Sequence, residues 1–424
     1  MSTSFAFKPL LSAGLQPDLF AQLRPDVSRL LATRMVFIWA TLLTFGTIMV
    51  ASSSIAFADS TLGDPWYFTR RHLIFLAMGL TASAAVAMVP LAVWQKYAWV
   101  LLMLAFVLLL VVLIPGVGRR VNGSQRWLAI GSLTLQASEA VKFCAIIFFA
   151  SYFTKRAVAL SRQNKGLLRA LAILGVLVLL LLAEPDFGSS VVIVVTVMAM
   201  LFFVGARLWV MLSLMLVGGG LFTSVALMSP YRLQRLVTYL DPWADQFNAG
   251  YQLTQSLIAF GNGQWLGQGL GNSIQKMLYL PEAHTDFVFA VIAEEFGLIG
   301  GLIVIALFGA LIFEILRRCR SRMSHDDCFP ALLAFGVAIL FAMQAFINIG
   351  VASGFLPTKG LTLPFISYGG SSLLLCCALM GLMLRIDWES EVQIVREAKK
   401  VVKKRATKAV AKPRKAQVED LIDD

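Results

Sequence analysis

The 424-residue chain is 58% hydrophobic and only 14% charged, with a formal net charge of +12. A soluble domain carries about 25% charged residues, so this composition excludes a water-covered globule. It points instead to bilayer spans of about 20 mostly apolar residues, which must be helical because hydrocarbon offers backbone polar groups no partner.

In chain order, residues 1–34 place Lys8, Asp18, Arg24, Asp26, Arg29 and Arg34 ahead of the first apolar run. That is the wrong layout for a cleavable signal, and the segment reads as a cytoplasmic N-terminal extension. Apolar runs follow at 35–56, 72–89, 97–114, 139–154, 168–183, 188–205, 208–228, 287–316, 329–350 and 368–385. The expected fold is an all-α polytopic membrane protein of about ten transmembrane helices. The membrane domain covers 35–388, with a large extracytoplasmic (periplasmic) loop at 229–286 between helices 7 and 8 and a basic cytoplasmic tail at 389–424. Alternating sides from a cytoplasmic N-terminus place 26 of the 36 Lys and Arg residues inside, as the positive-inside rule requires. Both termini are therefore expected in the cytoplasm. The positive charge faces anionic inner-leaflet lipids, not nucleic acid. The five cysteines fall in spans or inner loops, so neither a disulfide nor a Cys/His metal cluster is expected.

The outer segments carry the candidate chemistry. The polar loop 115–138 holds Arg126 beside Trp127, and Glu139 and Lys142 follow one helical turn apart at the top of the fourth span. Fixed cations at that depth suit a pyrophosphate, which needs charge-assisted donors; the alternative is simple pairing with Glu184, Asp186 or Asp241. In the long loop, Leu253, Leu257, Ile258 and Phe260 mark one face of a short helix at 251–260. The glycine-rich stretch 261–273 is either a linker or a close-approach element, and Trp265 and Leu270 argue against a pure linker. Next comes PEAHTDFVFAVIAEEFG at 281–297. If the helix has begun by 282, Glu282 and Asp286 share a face. Glu294 and Glu295 fall at hydrocarbon depth, where carboxylates are costly and normally face the bundle interior or a wet cavity. The plainer readings are a dipole-complementing Asp286, structural ion pairs for Glu294 and Glu295, and a hydrogen-bonded structural His284. Last, PTKGLTLPFISYGGSS at 357–372 has Lys359 as its only charge, and Gly369–Gly370 allow close helix packing.

These strings together resemble the SEDS family (shape, elongation, division and sporulation) of peptidoglycan polymerases. NGSQRW, QASEAVK, EPDFGSS, YRLQR, GYQLTQSLIAFGNG, GQGLGNSIQK and YLPEAHTDFVFAVIAEE occur in that order between residues 122 and 295, ahead of PTKGLTLPFISYGGSS. The resemblance covers about 35–388 and is nearer the division branch, whose loop carries a lysine like Lys359, than the elongation branch. Two positions depart from the family pattern: Ala137 stands where proline is common, and Leu278 where some relatives are acidic.

The resemblance implies a glycosyltransferase that polymerises lipid II into glycan strands on the outer face of the bacterial inner membrane, at the division septum. Undecaprenyl pyrophosphate is released. The implied partners are a class B penicillin-binding protein (an FtsI-type transpeptidase) and the divisome proteins FtsQ, FtsL and FtsB. Carried over by position, the family's essential carboxylate falls on Asp286; the chemistry of glycosyl transfer then assigns it as the catalytic base and the one candidate ligand for a divalent cation (Mg or Mn), with no organic cofactor. Arg126, Lys142 and Lys359 would bind phosphates, Glu139 would hold Lys142, and Glu282, His284, Glu294 and Glu295 would support the site. The competing functions are a lipid-linked precursor flippase, a non-catalytic divisome scaffold, and an elongation-type polymerase of the same family. A flippase should show inverted repeats and midplane charges; no repeat is visible, and the candidate residues cluster at outer ends of spans.

Overall fold

The computed structural model describes residues 25–121, 124–131, 133–162, 164–206, 209, 219–220, 238–248, 250–324, 327–357 and 360–392. Its elements in chain order are α1 (Pro25–Leu62), α2 (Tyr67–Met88), α3 (Leu91–Lys96), α4 (Ala98–Leu113), β1 (Gly118–Val121), β2 (Ser124–Ile130), β3 (Leu133–Gln136), α5 (Ala137–Arg162), α6 (Asn164–Ala183), α7 (Phe187–Phe203), α8 (Tyr251–Gly263), α9 (Val288–Ser324), α10 (Cys328–Ala352) and α11 (Gly370–Val392). Among the described residues, α1, α2, α5, α6, α9, α10 and α11 are long and apolar enough to cross a membrane, and α4 and α7 are shorter apolar helices. The chain is a multi-pass membrane protein. The apolar run at 208–228, expected as the seventh span, lies almost wholly outside the described residues, as do most of the N-terminal extension, the tail beyond 392, and YRLQR.

The central helix is α5, whose membrane-crossing stretch is almost entirely buried. It packs against α4, α6, α7 and α10, and α9 packs against α1, α8 and α10. Outward-facing Leu, Ile, Val and Phe on α4, α9 and α2 remain exposed, as expected of surfaces that lipid covers. Near the C-terminal end of α9, Arg318 makes a two-oxygen contact with Asp387 on α11 at 2.8 and 2.9 Å.

Residues 115–138, expected as a plain loop in an all-α fold, instead form an antiparallel sheet of order β1-β2-β3. Val121 pairs with Ser124 and Ile130 with Leu133, so each connection is two residues, Asn122-Gly123 and Gly131-Ser132. Asn-Gly between strands favours a tight hairpin, and Gly131 has φ +63°. The sheet is seated on the bundle. Gln125 Nε2 donates to the carbonyls of Val112 and Ile114 at 2.9 Å each, covering the carbonyls that α4 leaves unpaired at its end. Ser371 of α11 links to β3, accepting from the Gln136 N–H and donating to the Thr134 carbonyl, both at 3.0 Å.

The second irregular element is a break in α9 at Gly297, where φ is +67° and ψ −167°. The carbonyls of Glu294 and Glu295 accept from the N–H groups of Gln268 and Gly269 at 2.9 Å, while Leu298 and Ile299 donate to Gln264 and Trp265. The glycine-rich stretch is thus an ordered piece of backbone docked into the gap of a broken helix. A Cβ at Gly263 would collide with the Ala293 carbonyl, and one at Gly267 with that of Glu295. The buried face of α8 is Leu253, Thr254, Ser256, Ala259 and Gly263. The expected helix is present, but small residues, more than Leu257 and Ile258, form its contact face because the backbones approach so closely.

Gly263→Ala should therefore destabilise the protein by about 1–3 kcal/mol, the usual cost of overpacking. Gly261→Ala, with nothing within 4 Å of its Cβ, should be neutral or mildly stabilising. Thermal unfolding of both variants in detergent checks the pair.

Candidate active site

Asp286 lies in the turn 281–287, just ahead of α9. The turn, not a helix, carries Glu282: its φ is +55° and its carbonyl accepts from the N–H groups of Thr285 and Phe287, both at 3.2 Å. The expectation that Glu282 and Asp286 share a helical face is therefore corrected. Glu282 is exposed, and its carboxylate accepts from Thr285 Oγ1 at 2.7 Å.

The Asp286 side chain is half-buried. No described side chain donates a hydrogen bond to its carboxylate. Its carboxyl is pushed up to about 7, first by burial and then by the Glu282 charge, with Arg126 pulling the other way. Arg126 reaches this corner from β2. Its Nε donates to the Glu184 carbonyl at 3.1 Å and its Nη2 to the Pro185 carbonyl at 2.6 Å. The alternative to phosphate binding, simple pairing with the side chains of Glu184, Asp186 or Asp241, gives way to hydrogen bonds with backbone carbonyls. Glu184 itself is buried with neither carboxylate oxygen hydrogen-bonded among the described residues. Burial and the Asp186 charge raise it to about 8, and Arg126 opposes them. Asp186 caps α7, accepting from the Ser189 N–H at 3.2 Å. One guanidinium therefore serves two carboxyl groups from different parts of the chain.

Glu139 and Lys142 form a 2.6 Å ion pair with side-chain exposures of 7% and 2%. The expected pair is present, but it is enclosed in the bundle beside Cys376 of α11, and Lys142 does not open onto the surface where Asp286 lies. Lys359 lies outside the described residues, while its neighbour Gly360 abuts Asp286: a Cβ there would stand 2.5 Å from Asp286 Oδ2.

The remaining candidates have other work. His284 is buried against Phe57, Phe68 and Tyr368. Its carbonyl accepts from the Tyr368 N–H at 2.9 Å, and burial lowers its imidazole against the opposing effect of Glu282. Glu294 accepts from Asn262 Nδ2 at 3.1 Å, Ile274 N–H at 3.3 Å, Gln275 N–H at 3.2 Å and the Ser273 hydroxyl. Glu295 pairs with Lys276 at 2.6 Å and accepts from Ser52 of α1 at 2.7 Å. Both glutamates hold the docked loop and do not face Asp286; the plainer reading of each is the one the contacts support. Asn348 of α10, not singled out from sequence, is bonded to the Asp286 carbonyl at 2.9 Å. An asparagine in an apolar run was the available signal.

Among the described residues no three His, Cys, Asp or Glu side chains converge as a metal cage. A divalent cation here would have Asp286 as its protein ligand and would supply positive charge beside the carboxylate.

The signature of the FtsW, RodA and SpoVE family of cell cycle proteins matches residues 32–392. The chain belongs to this family. The FtsW/RodA/SpoVE fold is evident in solved relatives as well. A chain from a structure described as the structural coordination of polymerization and crosslinking by a peptidoglycan synthase complex superposes with a TM-score of 0.66 at 28% identity, covering 84% of this chain and 97% of that one. RodA, the rod shape determining protein of Thermus thermophilus, superposes at 0.61 and 27% identity, covering 84% and 96%. Among curated relatives, a probable peptidoglycan glycosyltransferase FtsW of Saccharophagus degradans is 53% identical over 350 residues, covering 82% of this chain and 90% of that protein. The protein of the same description from Coxiella burnetii is 50% identical over 350 residues, covering 82% and 94%.

Removing one partner of the enclosed ion pair leaves a buried unpaired charge, at a cost of about 3–5 kcal/mol. Glu139→Leu should lower thermal stability accordingly, and Glu139→Leu with Lys142→Met should recover most of the loss. Unfolding of the single and double variants in one detergent reads the difference.

Proposed function

We propose that the protein is a peptidoglycan glycosyltransferase that polymerises lipid II at the division septum. The observation that carries this reading is the half-buried Asp286 carboxyl, raised towards neutrality and set beside the Arg126 guanidinium. Relatives about half identical to the chain carry that activity in their names. Glycosyl transfer needs a base for the acceptor sugar hydroxyl, and a base is most effective when it titrates near the working pH. The Asp286 carboxylate takes that proton. The freed oxygen bonds to the anomeric carbon of the second lipid-linked sugar, and the bond from that carbon to pyrophosphate breaks. The electron pair leaves on undecaprenyl pyrophosphate.

Negative charge accumulates on the leaving group, where fixed donors act most strongly. Arg126 supplies them: two of its nitrogens are held by the 184–185 carbonyls, which orients Nη1 for an incoming anion. Lys359 is a second phosphate partner. Glu139 holds Lys142 in place inside the bundle. Glu282 tunes Asp286 by its charge. A bound Mg or Mn ion would add positive charge at the departing phosphates, held by Asp286.

The site faces the periplasm, both termini are cytoplasmic, and the membrane is the bacterial inner membrane. The basic tail lies on anionic inner-leaflet lipids. A class B penicillin-binding protein crosslinks the product, as the crosslinking named for the synthase-complex neighbour suggests. FtsQ, FtsL and FtsB join it at the septum.

Strand synthesis from purified lipid II, with and without the class B partner, tests the reading. Asp286→Ala should lower the rate by about 10²–10⁴-fold while the protein stays folded. Equal polymer from wild type and variant would remove Asp286 from the mechanism. No polymer from wild type with its activated partner would favour a flippase or a scaffold. For the active enzyme, kcat/KM should rise with pH through about 7 and level off above it, because the base works only when ionised. Glu282→Gln removes a like charge, so the rising limb should move to lower pH.

A further inference from the structure

A base must be held still, yet Asp286 sits in a turn, not in a helix. The turn is tied to the loop that follows α10 at His284, whose carbonyl accepts from the Tyr368 N–H at 2.9 Å, but that bond does not reach Asp286 itself. Asn348 does. It lies near the end of α10 with 1% exposure, and its Nδ2 donates to the Asp286 carbonyl at 2.9 Å and to the Leu361 carbonyl at 2.6 Å. Two carbonyl acceptors require the amide nitrogen at that position, which settles the orientation of the amide. A single buried side chain therefore joins the Asp286 backbone to the loop two residues beyond Lys359.

The same loop also meets the carboxylate. A Cβ on Gly360 would stand 2.5 Å from Asp286 Oδ2 and 3.4 Å from its Cγ. Gly360 has no left-handed φ, so its backbone angles do not demand glycine. What the position demands is room for the carboxylate oxygen. Among the described residues, the charged groups acting on that carboxylate are Glu282 of its own turn and Arg126 of β2.

We propose that Asn348 and Gly360 are positioning residues for the Asp286 base. Asn348 pins the Asp286 carbonyl to that of Leu361, and Gly360 leaves the space in which the carboxylate oxygen meets the acceptor hydroxyl. The assignment rests on the reading of Asp286 as base. It extends that reading by making the 360–361 loop part of the catalytic geometry and not merely a carrier of Lys359.

The test uses full-length protein bearing Gly360→Ala or Asn348→Ala. Asn348→Ala strands two buried carbonyls and risks misfolding, whereas Gly360→Ala keeps every hydrogen bond and adds only a methyl group, so Gly360→Ala is the decisive variant. A displacement of about 1 Å can cost about 10²-fold in rate. Gly360→Ala should therefore lower kcat by about one to two orders of magnitude, with KM for lipid II changed less than about threefold and the thermal midpoint preserved. Infrared titration of the Asp286 carboxyl, identified by its loss in Asp286→Ala, gives a second readout that needs no turnover. The methyl group displaces water from the carboxylate, so the midpoint should move to higher pH in Gly360→Ala. Unchanged kcat and an unchanged midpoint would overturn the proposal, as would a rise in KM alone. Wild-type protein that makes no polymer would defeat the glycosyltransferase reading, while the titration would still decide the positioning.

Discussion

A helix broken inside a bilayer must find partners for the carbonyls it frees, and the start of α9 with the loop before it is organised by that need. At Gly297 the α9 ladder stops, and the carbonyls of Glu294 and Glu295 go to the backbone of Gln268 and Gly269. In hydrocarbon an unmet carbonyl costs several kcal/mol, so the docked loop is a requirement of the break. The Glu294 carboxylate adds a second set of acceptors, gathering Asn262, Ser273, Ile274 and Gln275. Glu295 and Lys276 reach across to Ser52 of α1. The short helical piece from Val288 to Phe296 is thereby clamped at its C-terminal end, and Asp286 stands just before its N-terminal end. A rigid platform for a carboxylate is the result.

Around that platform charge is used sparingly. Arg126 is bound by two backbone carbonyls, which orient the guanidinium without neutralising it. An ion pair would have cancelled its charge. Neutral acceptors leave its field available to Asp286 and Glu184, both of which titrate lower than burial alone would allow. Lys142 is the opposite case, matched by Glu139 in a low-dielectric setting.

Much of this was legible in the sequence, for identifiable reasons. Apolar runs set by bilayer thickness mark helices such as α5 and α10 directly, and the ends differ only where helices run past the hydrocarbon. The pairing of Glu139 with Lys142 follows from their spacing on one helical turn. The sheet at 118–136 was missed because its strands are short, although the Asn122-Gly123 step between β1 and β2 is a hairpin signal that could have revealed it. Glu294 and Glu295 drew attention as buried acids. Only the fold shows that their partners come from a glycine-rich stretch some twenty to thirty residues earlier, where composition alone could equally have meant a linker. Gly360 was invisible for a related reason: it is not unusual in its own segment and matters only through its contact with the turn at 286, while Asn348 stands out as a polar residue in an apolar run but shows its partners only in the fold.

Among the described residues, the sheet leaves a strand with one side unpaired. β1 is the outermost strand in the order β1-β2-β3, and an open strand edge is a template for another chain. In a membrane, copies of one protein diffuse in a plane with their outer faces level, so matching edges meet more often than in solution. Four residues, two of them Arg119 and Arg120, with an irregular register between those two, give a strand too short, too charged and too bent for edge-to-edge growth. The element that seats Arg126 is thus also guarded against joining laterally to its neighbours.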